Sequence, residues 1–275
     1  MNRFFSKLAS AWRQGPGGPT AAETDAEAWW LPLCPETPPD HAALSERGAD
    51  MIRLMRSGLK VPAGALLTPR LFHDFYFLEE AAVRRFIDQA VSPHARPDTL
   101  WAVRSSVWGE NDPAAAAQDQ VFFNVSLAGL FDRVKQCWQS AYPDPAGVYR
   151  PRQDPGLEWS LAVILQRMVP ALCAGVLSTP RPESPGQQGI IIEGMTASPE
   201  APAPGRRQAD RIILSSKGRR LSEQSAGRVN CLDQIGDHVL ADLARELERA
   251  CGGPQEAEWA YDGQTLWVLQ TRPRP

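Results

Sequence analysis

Cysteine and histidine are scarce in this 275-residue chain, and neither type clusters. The five cysteines, Cys34, Cys137, Cys173, Cys231 and Cys251, are odd in number and scattered, with no CxxC pair and none grouped with the four histidines. No zinc site and no disulfide framework is expected, and the usage fits a reducing, cytoplasmic location. No apolar run approaches the roughly 18 residues of a membrane span, and the start of the chain lacks a secretory apolar stretch, so no membrane span is expected. Excess charge is also missing: 29 basic against 32 acidic residues leave a formal net charge of −3, which argues against nonspecific nucleic-acid binding. Any phosphate site must therefore be local. What is present, 43% hydrophobic and 22% charged residues, is ordinary for a globular protein with a full core.

The chain reads in three parts: an extension over 1–40, a first unit over 41–154 and a second over 155–275. Phe4, Phe5, Leu8 and Trp12, with Arg3, Lys7 and Arg13, fit a short amphipathic helix docking on the rest of the protein. Residues 14–40, rich in Gly, Pro, Ala and acidic residues and interrupted by Trp29 and Trp30, read as a surface tether. In the first unit, helices are expected over 44–55, from Thr68-Pro69 to Phe75, over 79–89, and after Ser126 with the stripe Leu127, Leu130, Phe131, Val134 and Trp138. Strands are expected over 100–103 and 121–125, joined by an aperiodic loop over 107–118 that is a candidate phosphate cover. The proline-containing stretch 142–155 marks the boundary. The second unit has strands over 161–169, 174–179, 189–193 and 211–215. A helix capped by Asp237 follows, burying Val239, Leu240, Leu243 and Leu247. The stretch 196–209 reads as an irregular loop.

The closing stretch EWAYDGQTLWVLQTRP, 258–273, reads as a β-hairpin around Asp262-Gly263, with strands over 256–261 and 265–270. Gln270 and Arg272 share a face because side chains alternate along a strand. Glu258 joins them if it pairs across from Val268 through a loop of Asp262, Gly263 and Gln264. A carboxylate, an amide oxygen and a guanidinium then converge. Hard oxygens suit Mg²⁺, and the arginine suits phosphate. Spacing alone also fits, and favours, an edge hairpin with a solvated polar face.

The segments SGLKVPAGALLT (57–68), WAVRSS (101–106), FFNV (122–125), LQRMVPALCAGVLST (165–179) and EWAYDGQTLWVLQTRP (258–273) together resemble one family. It is the N-terminal nucleotide-binding domain of pyruvate phosphate dikinase, phosphoenolpyruvate synthase and rifampicin phosphotransferase. The resemblance covers about 44–273 and implies an α+β, ATP-grasp-type fold with nucleotide in a cleft between two subdomains. It implies ATP and Mg²⁺ as ligands. Arg104 matches an arginine that holds the ATP phosphates, and Arg272 matches a second one. Glu258 and Gln270 match the metal ligands. Gln166, Met168 and Val169 match the strand whose backbone faces adenine, and Glu193 an acidic residue near the ribose. Taken singly, Arg104 also reads as a surface ion pair, Glu193 as a solvated carboxylate and Met168 as core.

The chain departs from the pattern in three loops. The lysine that meets the phosphates is replaced by Arg47, a planar head in place of a point charge. The small-residue phosphate loop becomes 114–118, shorter and without its glycine. The Gly-Leu-Gly-Glu segment becomes Ala197-Ser198-Pro199-Glu200, which keeps Glu200 but loses an N–H at the proline. His41, His73, His94 and His238 lie outside any phosphohistidine motif and read as surface or structural residues. Two functions follow. One is the ATP-binding component of a dikinase-like phosphotransferase that passes phosphoryl to a histidine on a separate chain. The other is a diverged, non-catalytic nucleotide-binding or structural subunit.

Overall fold

The computed structural model describes residues 29–40, 44–75, 78–108, 120–140, 160–180, 189–196, 209–225 and 230–274. They form two antiparallel sheets with helices, the α+β class that the sequence implies. The first sheet runs β1-β2-β5-β3-β4, built from β1 (Trp30–Leu33), β2 (Gly64–Leu67), β3 (Trp101–Trp108), β4 (Val121–Val125) and β5 (Ser160–Arg167). The second runs β11-β10-β6-β7-β8-β9, from β6 (Cys173–Ser178), β7 (Ile190–Thr196), β8 (Asp210–Leu214), β9 (Arg220–Gln224), β10 (Gln255–Tyr261) and β11 (Leu266–Pro273). No helix among the described residues is long and apolar enough to cross a membrane.

Two boundaries differ from the sequence reading. β5 lies past residue 154 yet is the central strand of the first sheet, so the first unit extends to Arg167. Residues Trp30–Leu33, expected within a tether, are an edge strand antiparallel to β2. Pro32 sits in that strand because an edge does not need its missing N–H on the solvent side. β3 also runs on to Trp108, into the stretch expected as loop.

Each sheet buries a face that its sequence alternation marks. Ala65, Leu67, Val103, Val163 and Leu165 pack one face of the first sheet on the apolar stripes of α2 (Pro69–Asp74), α3 (Glu80–Val91) and α4 (Leu130–Ser140). Leu66 and Ile164, on the opposite face, join a second core with α1 (Glu46–Arg56), α5 (Asp237–Cys251) and the inner face of the second sheet. That core is continuous across both halves. α1 starts where the Ser45 hydroxyl accepts from the Gly48 N–H, satisfying one end group, and α5 ends at Gly252 with φ 76°. Gly236, not Asp237, is the residue before α5, and Val239 is only partly buried. Ser126 leads first into a short 3₁₀ turn, Leu127–Gly129, without a side-chain cap.

The inner face of the second sheet carries Trp259, Gly175 and Gly194 in one row across β10, β6 and β7. A Cβ on Gly175 would lie 1.8 Å from the Glu193 carbonyl oxygen, so β6 and β7 would have to separate. Gly175→Ala should therefore cost about 3 kcal/mol. Urea unfolding reads it, and a loss under about 1 kcal/mol would show the strands yield freely.

Cys173 and Cys231 are joined as a disulfide between the start of β6 and the turn before α5, contrary to the expectation of no disulfide. Sequence spacing cannot reveal a pair separated by 58 residues that only folding brings together. β9, not expected from sequence, is mostly exposed. Arg220 pins it by ion pairs to Asp233 and Asp237, which raise the pKa of the guanidinium.

Candidate functional site

The site forms where a strand of the first sheet meets the hairpin of the second. In β3, Arg104 stands opposite Ile164, which stands opposite Leu66, so its side chain leaves the sheet on the face turned toward the second half. It is almost fully buried, at 4% exposure. Its Nη1 donates to Gln270 Oε1 at 2.8 Å and to Glu258 Oε2 at 3.2 Å. The Nε of Arg104 is buried without a partner among the described residues. Glu258 is half-exposed, so the ion pair is partly screened by solvent.

The hairpin brings Glu258 and Gln270 together by a different route from the expected one. From Tyr261↔Leu266 to Trp259↔Val268 the pairing is regular. It then skips Leu269, so that Glu258 faces Gln270 and Glu256 faces Arg272. Glu258 does not pair across from Val268. The bulge moves it onto the Gln270 face, as one extra residue on one strand must. The connection spans Asp262 to Thr265, closed by Asp262 N–H donating to the Thr265 carbonyl. Burial raises the Asp262 carboxyl pKa. Hydrogen bonds from Trp267 Nε1 and from the Thr265 and Gln264 N–H groups outweigh that and hold it below the usual range. These bonds fix the turn and hence the register at its base.

One sheet face thus carries Glu256, Glu258, Gln270 and Arg272, with Val176 opposite Glu258 and Glu193 opposite Val176. A cavity of about 160 Å³ is lined by Val176, Glu256, Glu258, Gln270, Thr271 and Arg272. Arg272 donates through Nε to Glu256 at 2.8 Å and is largely exposed. Sequence reasoning passed over Glu256. The two-residue spacing from Glu258 was the signal that it shares the face.

The other expected residues divide. Arg47, near the start of α1, reaches Ser105, the neighbour of Arg104, with Nη1 3.0 Å from the Ser105 carbonyl oxygen. Glu193 lies on the same sheet face as Glu258, one strand beyond β6, and pairs with Arg211 at 3.5 Å. Gln166 is buried, its Nε2 at 3.5 Å from the Pro62 carbonyl oxygen. The Met168 N–H donates to the Leu100 carbonyl and the Val169 carbonyl accepts from Ala171, so this backbone is partly engaged within the fold. Glu200 and the loops 114–118 and 197–199 lie outside the described residues. Phe123, not singled out in the sequence, is exposed on β4, with the Arg104 guanidinium carbon 5.5 Å from its ring centre.

Among the described residues no group of three or more His, Cys, Asp or Glu gathers as a metal site. Glu258 and Gln270 supply two oxygens, the donor type a hard divalent cation takes. Such an ion fits here if the remaining ligands come from phosphate and water, which is how Mg²⁺ is usually held beside nucleotides.

Side-chain oxygens and arginines thus gather where the two sheets meet. Residues 78–231 match the family model described as pyruvate phosphate dikinase, AMP/ATP-binding domain, and the chain belongs to that family. The matched span includes Arg104, Gln166, Met168, Val169, Glu193 and Glu200, while Arg47 and the hairpin lie outside it. The chain is similar to a probable phosphoenolpyruvate synthase of Methanothermobacter thermautotrophicus, 30% identical over 65% of this chain and 30% of that protein. It is also similar to the rifampicin phosphotransferase of Bacillus subtilis, 27% identical over 70% of this chain and 25% of that protein. The chain spans about a quarter to a third of the length of these curated relatives. Among solved structures, D-alanine–D-alanine ligase from Bacillus anthracis overlays at a TM-score of 0.41 and 11% identity, over 86% of this chain and 59% of that one. At that score the overlay carries no structural weight.

Proposed function

We propose that this chain binds Mg·ATP at the junction of its sheets and is the ATP-binding component of a dikinase-like phosphotransfer system. The phosphoryl group would pass to a histidine on a separate chain. The observation that carries this reading is the meeting of Arg104, from the first half, with Glu258 and Gln270 of the second, each more than 150 positions further along the chain. In such a site Mg²⁺ would neutralise phosphate charge. Arg104, Arg47 and Arg272 would orient the phosphates and offset the charge that develops in transfer. Gln166, Met168 and Val169 would line the adenine end, and Glu193 and Glu200 the ribose and phosphate edge. His94 and His238, the histidines whose side chains the structure describes, make no hydrogen bond or ion pair with Arg104, Glu258 or Gln270 in the contacts described.

A second reading, a nucleotide-binding subunit without transfer activity, is favoured by one observation: Arg272 is paired with Glu256 and Arg104 with Glu258. The altered loops at 114–118 and 197–199 point the same way. A Cβ or a proline there removes backbone N–H contacts to phosphate. Each lost bond to a charged group costs roughly 1.5–3 kcal/mol, about ten-fold to a hundred-fold in affinity. Calorimetric titration in saturating Mg²⁺ should therefore give weak binding of both ATP and ADP, with dissociation constants within a few-fold of each other. A strong preference for ATP would show a competent γ-phosphate site and select the transfer reading. No binding of either nucleotide would remove both nucleotide-binding readings and leave a structural subunit. With radiolabelled ATP, the isolated chain should retain no acid-labile label, and stable labelling would place the acceptor within this chain.

A further inference from the structure

The contact between Arg104 and the two hairpin oxygens puts a fixed cation where a metal ion would take its ligands. We infer that Arg104 is a specificity-determining residue: it holds Glu258 and Gln270 until phosphate draws it away, so the site accepts a metal–phosphate complex and rejects bare metal. The inference rests on the nucleotide-binding reading above.

Three observations support it. First, a single nitrogen of Arg104, Nη1, serves both the Glu258 carboxylate and the Gln270 amide oxygen. A divalent ion taking these two side chains as ligands would sit against the guanidinium charge that already holds one oxygen of each. Second, Arg104 is 4% exposed, so a bare ion that displaced it would leave a buried positive charge facing a second cation with no anion added. A metal bound to phosphate brings the anion with it. Third, the Nε of Arg104 is buried with no partner among the described residues, although a guanidinium ordinarily presents its donors as a fork. A phosphate oxygen arriving at that edge satisfies the orphaned donor and releases the carboxylate. Phosphate and metal then favour each other's binding, and the coupling must be equal in both directions.

The groups around Arg104 are consistent with this exchange. Phe123 lies beside the guanidinium and contributes no anion, and Arg47 is held on the Ser105 carbonyl, adding positive charge to the same strand. Glu256, the next carboxylate along the hairpin face, is occupied by Arg272.

Mn²⁺ serves as the probe, with protein-bound metal counted by equilibrium dialysis and by loss of the free-ion electron paramagnetic resonance signal. The wild-type chain should bind bare Mn²⁺ at least about tenfold more weakly than it does with saturating ADP, within the usual range of coupling. Arg104→Gln should bind bare Mn²⁺ about tenfold more tightly than wild type, with the coupling to ADP reduced. Arg211→Gln, which removes a charge from the same sheet face without touching the oxygen pair, should leave bare Mn²⁺ binding unchanged. No gain in Arg104→Gln, or an equal gain in Arg211→Gln, overturns the inference. Should Arg104→Gln fail to fold, nitrogen-15 spectra of wild-type protein decide instead. Metal-free ADP should move the Arg104 Nε–H resonance and Mg²⁺ alone should not, while a shift with Mg²⁺ alone overturns the inference. Absence of ADP binding by any measure would instead remove the nucleotide-binding reading, and bare-metal binding to Arg104→Gln would still judge the lock.

Discussion

Glu258→Ala should weaken nucleotide binding about a hundredfold in Mg²⁺ and should not weaken it without metal. The carboxylate is the one anionic oxygen in the pair formed with Gln270, and a hard divalent ion depends on such a ligand more than on a neutral amide. Losing an interaction between charged partners costs up to about 3 kcal/mol, which is the hundredfold expected. Without metal, only the link from Glu258 to Arg104 is lost, which leaves the guanidinium easier for phosphate to draw away while Gln270 still holds it. Gln270→Ala, removing a neutral ligand, should show the same pattern at smaller size. The fold should survive both changes, because Glu258 is half-exposed and its ion pair is screened. Isothermal titration with and without Mg²⁺ measures the two losses, and equal losses under both conditions would take Glu258 out of the metal shell.

The sequence put Gln270 and Arg272 on one face but could bring Glu258 to it only through a pairing with Val268, which the structure replaces by a bulge. Alternation along β11 places Gln270 with Arg272 on any pairing. Which residue of β10 stands opposite depends on the turn and on whether a residue is bulged out. A bulge at Leu269 leaves no mark in composition, and the three-residue loop was the other way to satisfy the same parity. Helices were legible because their apolar stripes are local, and Pro69 at the start of α2 follows from backbone chemistry within one turn. β1 was hidden by Pro32 and by a Gly- and Pro-rich approach, features that argue against a central strand but are tolerated at an edge. β5 was found as a strand yet assigned to the wrong half. Strand identity is written in alternation, whereas its place between β2 and β3 is set by contacts about 60 and 100 residues away. The disulfide and the pairing of Arg104 with the hairpin are long-range in the same sense. The family resemblance named the candidate residues, and the structure supplied the finding that Arg104 and Arg272 are each held by a carboxylate.

Trp259→Ala should remove about 3–5 kcal/mol of stability, the upper part of the range for a core aromatic. Trp259 is fully buried and follows Glu258 directly in β10. Its ring reaches across the sheet to Gly194, where an added Cβ would come within 3.2 Å of the indole, and its opposite number on β6 is Gly175. Neither glycine has a side chain to move into the space, so the void cannot collapse and the cavity cost adds to the transfer cost. The indole Nε1 is buried without a partner, so no hydrogen bond is lost to offset in the comparison. Trp259→Phe should therefore recover most of the stability. Against a typical total of about 5–15 kcal/mol, the alanine variant is left close to unfolding. The change also bears on the site, because the register shift lies between Glu258 and Trp259. Without the ring to anchor β10, a one-residue slip would set Glu258 opposite Leu269 and turn it from Gln270. Urea unfolding followed by circular dichroism should show a lower midpoint with an unchanged slope, and the Mg²⁺-dependent part of nucleotide binding should fall with it. A stability loss below about 1 kcal/mol would mean that the sheet closes over the gap and that the glycine row does not hold the tryptophan in place.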